Sequence, residues 1–236
     1  MGNFTSTANW YLRFRPQYPD ELLRRLAEAA RLTTGSRVLD LGSGPGHVAK
    51  PLSAYVAEVV AVDVEAEMLA RIDVPNVRTV LGRAEDIDAS WGRFDLVTAG
   101  RSFHWFDHAL MFERLPLVSD QLALLGERTG QSDAQSAVLD IAIELLGGER
   151  PGVGRDRYAD VLASSPYSDV TLLEVDVDRT WTAESLIGLA YSTSVASPAR
   201  LGQLSDEFER RVRAQFVDGF RERVRVSALL GRRGDQ

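Results

Sequence analysis

One carboxylate ahead of a run of glycines limits what this chain can bind there. In VLDLGSGPGHVAK, residues 38–50, an apolar stretch ends at Leu41, and Gly42, Gly44 and Gly46 follow. Glycines at such a strand end let the backbone turn sharply and approach a ligand without a Cβ in the way. Asp40 stands two residues before the first of them. A carboxylate at that point repels a pyrophosphate and suits a ligand that carries an ammonium group. The third glycine of the dinucleotide pattern G-x-G-x-x-G would fall at position 47, which is His47. The G-K-[ST] ending of a Walker A phosphate loop is missing as well.

Two further signals follow in order. Asp63 ends the apolar run of VVAVDVEAEML, where a carboxylate can accept two hydrogen bonds from a ribose diol. GRAEDI, residues 82–87, places a backbone amide and an acidic side chain where an adenine edge could be met. Doubly wound folds bind ligands at the ends of successive parallel strands, as these three segments would be.

The elements that must position these residues are legible in the hydrophobic pattern. Short apolar runs occur at 37–41, 59–64, 77–82, 94–99 and 121–127, separated by helix-compatible segments at 47–55, 65–72 and 108–115. Strands apolar on both sides and alternating with helices predict a parallel sheet covered on both faces. Ahead of them, Leu22, Leu23, Leu26 and Ala30 share one face of a helix over 20–32, with Asp20 as its N-cap. Residues 169–177 and 223–231 alternate apolar and polar, as half-exposed strands do, with helices over 183–191 and 199–217 between them. The expected fold is α/β: a doubly wound, Rossmann-like, mostly parallel seven-stranded sheet with an antiparallel last strand and a helical cap. One domain would span 1–236, with an arm and helix over 1–34 and a ligand-binding core over 35–130. The remaining sheet would follow over 131–236, with the cap insertion at about 180–218. The tail after Leu230 is expected to fray.

The sequence resembles the class I S-adenosylmethionine-dependent methyltransferases, small-molecule branch. VLDLGSGPG is similar to their first motif, VDVEAEML to the ribose-binding segment and GRAED to the adenine segment. FDLVTAGRSFHWF, residues 94–106, resembles the strand and loop that face the transferring methyl group. YLRFRPQYP at 11–19 and the pair His104–Trp105 resemble the trans-aconitate methyltransferase-like branch. S-adenosylmethionine has an ammonium, a sulfonium and no phosphate, so its charge matches Asp40. The resemblance implies cofactor contacts at Asp40, Gly42, Ser43, Gly44, Gly46, Asp63, Val64, Met68, Ala84, Glu85 and Ala99. It implies a lid of Tyr11, Arg15 and Tyr18, stiffened by Pro16 and Pro19, and an acceptor pocket involving Trp105 and Trp181. Arg83 departs from the family, where an aspartate is common, as does Arg101, where relatives carry an uncharged polar residue.

His104 is the candidate general base; the alternative is a structural histidine packed on Trp105. Arg101 either pairs with an acidic acceptor or makes a salt bridge at the sheet rim. His108 opens a helix on the surface, and His47 starts the helix after the glycines. His104 and His108 are four apart, but the loop-to-helix junction at Phe106–Asp107 breaks metal geometry, so no metal is expected. The expected reaction is methyl transfer to a small acceptor, most simply on oxygen and, by association, in secondary metabolism. A cyclase-like enzyme that keeps its cofactor, or a non-catalytic partner protein, is the alternative. With 236 residues no staple is needed, and the absence of cysteine removes disulfides and thiolate sites. A net charge of -7 without a basic tract argues against nucleic acid as a partner. No signal peptide or membrane span is evident, which fits a cytoplasmic monomer or homodimer.

Overall fold

The computed structural model describes residues 8–127, 132–148 and 158–234. A seven-stranded sheet has the order β3-β2-β1-β4-β5-β7-β6. Its strands are β1 (Arg37–Leu41), β2 (Glu58–Asp63), β3 (Val77–Leu81), β4 (Leu96–Gly100), β5 (Gln121–Glu127), β6 (Asp169–Trp181) and β7 (Phe220–Arg232). β1 to β5 pair in parallel, and β7 pairs antiparallel with β5. The order reverses between β1 and β4, the switch point at which open α/β sheets bind ligands. Asp40 lies opposite Ala61 on one side and Thr98 on the other, in the middle of that region.

The helices are α1 (Ala8–Phe14), α2 (Asp20–Ala29), α3 (Ala49–Leu52), α4 (Ala66–Leu69) and α5 (His108–Val118). They continue as α6 (Asp133–Leu146), α7 (Tyr158–Ala163), α8 (Ala183–Tyr191), α9 (Pro198–Leu201) and α10 (Ser205–Gln215). The described residues fall into two compact units. The first comprises 18–127, 158–175 and 226–234. In its core, Leu39, Val62 and Val97 of the sheet are buried with Met111, Leu115 and Val118 of α5 and with Leu162 and Tyr167. Burial of apolar surface at roughly 25 cal/mol per Å² is what holds such strands under their helices.

Several expectations are corrected by the structure. β3 was expected to be covered on both sides, yet it is the sheet edge and only Val77 is buried. The helix over 47–55 shortens to α3 and a 3-10 turn at Ser53–Tyr55, because the Ser53 hydroxyl donates to the Lys50 carbonyl at 2.6 Å and competes with the helical ladder. Asp20 is the first residue of α2 rather than its cap, which is Pro19. The helix over 199–217 is broken at Gly202, whose φ is +54°. The tail does not fray at Leu230: β7 runs to Arg232, which donates to the Ala29 carbonyl, and the Arg233 amide donates to that of Asp120.

The second unit comprises described residues 8–17, 132–148 and 176–225. Here α1, α6, α8 and α10 gather around Val138, Leu186, Leu189, Tyr191, Phe208 and Val212. α1 docks on α8 through aromatic contacts, with the Trp10 ring 5.6 Å from Phe14 and 5.0 Å from Tyr191. Gly188 makes the approach possible, since a Cβ there would lie 2.2 Å from the Phe14 ring. Gly188→Ala should therefore loosen α1 and cost about 1–3 kcal/mol in this unit. Hydrogen exchange is the check: amides of 8–14 should lose protection while those of β1–β5 keep theirs, and equal protection in the variant would refute the packing account.

Candidate active site

At the end of β1 the chain passes through three left-handed glycines, with φ of +61° at Gly42, +53° at Gly44 and +83° at Gly46. A Cβ at Gly42 would sit 2.5 Å from that of Ser102, so the turn after β4 requires glycine there. At Gly44 nothing lies within 4 Å of the place a Cβ would take. The Ser43 hydroxyl is buried and has no hydrogen-bond partner among the described residues. An open cradle beside an orphaned buried donor is what a bound polar ligand would complete.

Two carboxylates hold this loop from beneath. Asp63 accepts the Gly44 amide at 2.7 Å on one oxygen and the Glu65 amide at 2.9 Å on the other. Burial raises its pKa, against the effect of those amides. A carboxylate has about four lone-pair positions, so a diol can still be accommodated. Asp40 is fully buried, accepting the Thr98 hydroxyl at 2.7 Å and the Ala49 amide at 3.2 Å. Burial pushes its carboxyl up to about 7, the two hydrogen bonds working against the shift and the nearby Asp63 charge adding to it. The partners of Asp40 seen here are internal, where the sequence placed it opposite a ligand ammonium.

The ends of β2 and β3 expose apolar surface beside this loop, Val64 at 58% and Leu81 at 63%. The sequence pointed to Val64 but not to Leu81, whose only signal was its place just before Gly82. Nothing crowds Gly82 either. Met68 in α4 and Ala84 in the following 3-10 turn are buried. Glu85 is buried too and accepts the Asp107 amide at 3.1 Å. Burial works to raise its carboxyl, but that amide, its own amide and Arg83 outweigh it and hold the pKa low.

The turn after β4 carries the remaining residues. Arg101 has φ +58°, a strained conformation for a side chain of its size. Its side chain is 5% exposed and forms a 2.8 Å ion pair with Glu127, itself 14% exposed. The guanidinium lies 4.5 Å from the centre of the Tyr18 ring, and Tyr18 donates to the Leu125 carbonyl at 3.2 Å. Of the two readings of Arg101, the structure contains the salt bridge. Arg101 and Glu127 line a cavity of about 180 Å³ at the ends of β4 and β5. Ala99, Phe103, Leu124, Leu172 and Leu229 line it with Tyr158 of α7. Ser102 lines it as well, while its hydroxyl donates to the Leu41 carbonyl at 2.8 Å.

Other candidates are placed elsewhere. Tyr18 is 4% exposed and falls in the sheet unit, whereas Tyr11 and Arg15 fall in the helical unit. Trp181 is buried in the helical unit and hydrogen-bonds Glu222. His104 and Trp105 occupy a 3-10 turn, rings 4.8 Å apart, and neither lines the cavity. His108 opens α5 as expected and is half-buried there, its ring stacking on Phe103 at 4.5 Å. His47 is buried ahead of α3, whose first residue is Ala49. Glu127 and Tyr158 carried no sequence signal, because only strand pairing and chain return bring them to Arg101.

A family model described as a methyltransferase domain matches residues 38–116. An uncharacterized methyltransferase of Mycobacterium bovis is 32% identical over 203 residues, covering 84% of this chain and 80% of its own, and one of Mycobacterium tuberculosis matches equally. The chain belongs to the class I S-adenosylmethionine-dependent methyltransferases. Solved structures share the fold of this methyltransferase at low identity. The Bacillus subtilis YcgJ protein gives a TM-score of 0.59 at 17% identity, covering 92% of this chain and 100% of that one. A Haemonchus contortus phosphoethanolamine N-methyltransferase, solved with phosphomonomethylethanolamine and S-adenosylhomocysteine, gives 0.55 at 14%, covering 99% and 58%.

Asp40 gives the methyltransferase a testable pH dependence. Its folded pKa is raised, so its contribution to stability is complete below the usual carboxylate value of 3.8 and is lost as pH rises through about 7. Without ligand, the urea midpoint should fall between pH 5 and pH 8 by the equivalent of a few kcal/mol. Asp40→Asn should remove that slope whatever its absolute stability, and an unchanged slope would assign the titration to another group.

Proposed function

We propose that this methyltransferase moves the methyl group of S-adenosylmethionine to oxygen on a small-molecule acceptor. The observation that carries the proposal is the double role of Ser102. It packs on Gly42 of the glycine loop and also lines the cavity at the ends of β4 and β5. A donor held on the loop and an acceptor held in the cavity would therefore meet across one residue.

The bound cofactor supplies an already activated methyl group on a sulfonium. The chain has to align it and exclude water, and orientation of this kind is worth about 7–11 kcal/mol in well-placed systems. Gly44 and Ser43 would receive the amino-acid end of the cofactor, with Asp40 beneath the loop favouring its positive charge. Asp63 would hold the ribose hydroxyls. Val64 and Leu81 would cover the adenine, with Ala84 and Glu85 at its edge. The buried apolar walls around Phe103 and Leu124 would keep water from the reacting atoms.

Methyl transfer to an acceptor hydroxyl would form an oxygen–carbon bond in place of the carbon–sulfur bond and would release the hydroxyl proton. His104 lies outside the cavity lining, one residue beyond Phe103, and would have to take that proton across the turn. Among the described residues no helix is long and apolar enough to cross a membrane. The cavity, at about 180 Å³, supports a small molecule rather than a macromolecular partner.

Calorimetric titration with S-adenosylmethionine and S-adenosylhomocysteine tests the donor half, with one site per chain as the expected result. Asp63→Ala should weaken both ligands at least tenfold, since charge-assisted hydrogen bonds to the ribose are worth about 1.5–3 kcal/mol. Unchanged affinity in the variant would overturn the ribose assignment, and no binding to the native chain would overturn the function.

A further inference from the structure

Asp40 is a titratable group shut away from solvent inside β1, with 0% of its surface exposed. Each carboxylate oxygen accepts one bond, from the Thr98 hydroxyl at 2.7 Å and from the Ala49 amide at 3.2 Å. Among the described residues no arginine or lysine pairs with it. β2 brings Asp63, whose charge works against ionisation, while Thr98 of β4 and the Ala49 amide of α3 favour it. Lys50, the charged residue of α3, lies with Ile72 in the space beside Gly46, and His47 is buried just ahead of that helix. Burial outweighs the two hydrogen bonds and pushes the carboxyl up to about 7, so Asp40 holds a proton at mildly acidic pH. Its hydroxyl partner suits both states, since Thr98 can donate to the carboxylate or accept from the acid.

The glycine loop is built over this carboxylate. It leaves the sheet two residues after Asp40, and the Ala49 amide at its far end returns to the same side chain. Between these points the place of a Cβ at Gly44 is open, and the Ser43 hydroxyl is buried without a partner among the described residues. A ligand seated there cannot desolvate Asp40 further, because no surface is left to cover. What it changes is the charge above the carboxylate, and a cation favours the ionised form. Asp63 differs: it is half-buried, so the same ligand would cover it and bring charge, two opposed effects.

Resting on the reading of this loop as the S-adenosylmethionine site, we propose that the cofactor binds in exchange for a proton. Its positive charge drives the proton from Asp40 to solvent, and the carboxylate that remains, still bonded to Thr98 and Ala49, holds the cation. The site is therefore weak in acid and tightens as pH rises toward neutrality.

Calorimetric titration of the full chain with S-adenosylmethionine at pH 6, in two buffers of different ionisation enthalpy, counts the protons exchanged. The expected result is release of about half a proton or more per chain. Affinity should rise about tenfold from pH 5.5 to pH 7, a range in which the ligand's amino group, with an ordinary value of about 7.7–8.0, stays charged. Asp40→Asn should abolish the release and flatten that rise. Thr98→Val keeps the shape of the side chain but removes a hydroxyl that favours ionisation, so it should move the rise to higher pH, and it carries the test if the Asp40 variant does not fold. Failure of the native chain to bind at either pH overturns the methyltransferase reading and this proposal with it. Binding without proton release, release that survives in a folded Asp40→Asn chain, or a Thr98→Val profile at the native position overturns this proposal alone.

Discussion

The site depends on two carboxylates that tie the glycine loop and the helix after it to the sheet. Asp63 at the end of β2 takes the Gly44 amide, and Asp40 inside β1 takes the Ala49 amide at the start of α3. Each bond crosses from a strand to the loop or helix beside it, so the turn is set by the sheet rather than by its own residues. Buried carboxylates without cationic neighbours are costly, and here local N–H and O–H groups meet part of that cost. A cationic ligand on the loop would meet the rest.

The two halves of the site answer opposite electrostatic demands. Beneath the glycine loop, among the described residues, the Asp40 carboxylate takes its side-chain hydrogen bond from Thr98 and no arginine pairs with it. Around the cavity the structure does the reverse, pairing Arg101 with Glu127 and covering it with an aromatic ring. The two halves differ in how their charged groups are partnered. Ser102 separates them by a single residue's width.

The cofactor half was legible in the sequence because it is written in short contiguous segments. β1 and β5 were read to the residue, and Asp40, Gly42, Gly44 and Asp63 come together as their spacing required. β3 was misjudged because an edge strand has a neighbour on only one side, a fact that strand composition does not carry. The acceptor half was not legible. Arg101 meets Glu127 only because β4 and β5 pair in parallel with Gly100 opposite Leu125. Tyr158 arrives from beyond a further helix. Nor does the sequence show that the Tyr18 ring packs against the Arg101 guanidinium, 83 residues away.

The helical unit has a history that its final packing conceals. Its residues come from three separate stretches of chain, beginning with α1 and ending beyond α10. β1 to β5, by contrast, lie in one unbroken run and can pair as soon as they leave the ribosome. Phe14 must then wait for Gly188, which is synthesised only after all five of those strands. Throughout that interval the Trp10 and Phe14 side chains have no notch to enter. In chain order all five parallel strands separate α1 from the glycine that receives it, so α1 docks after the sheet it precedes has been made.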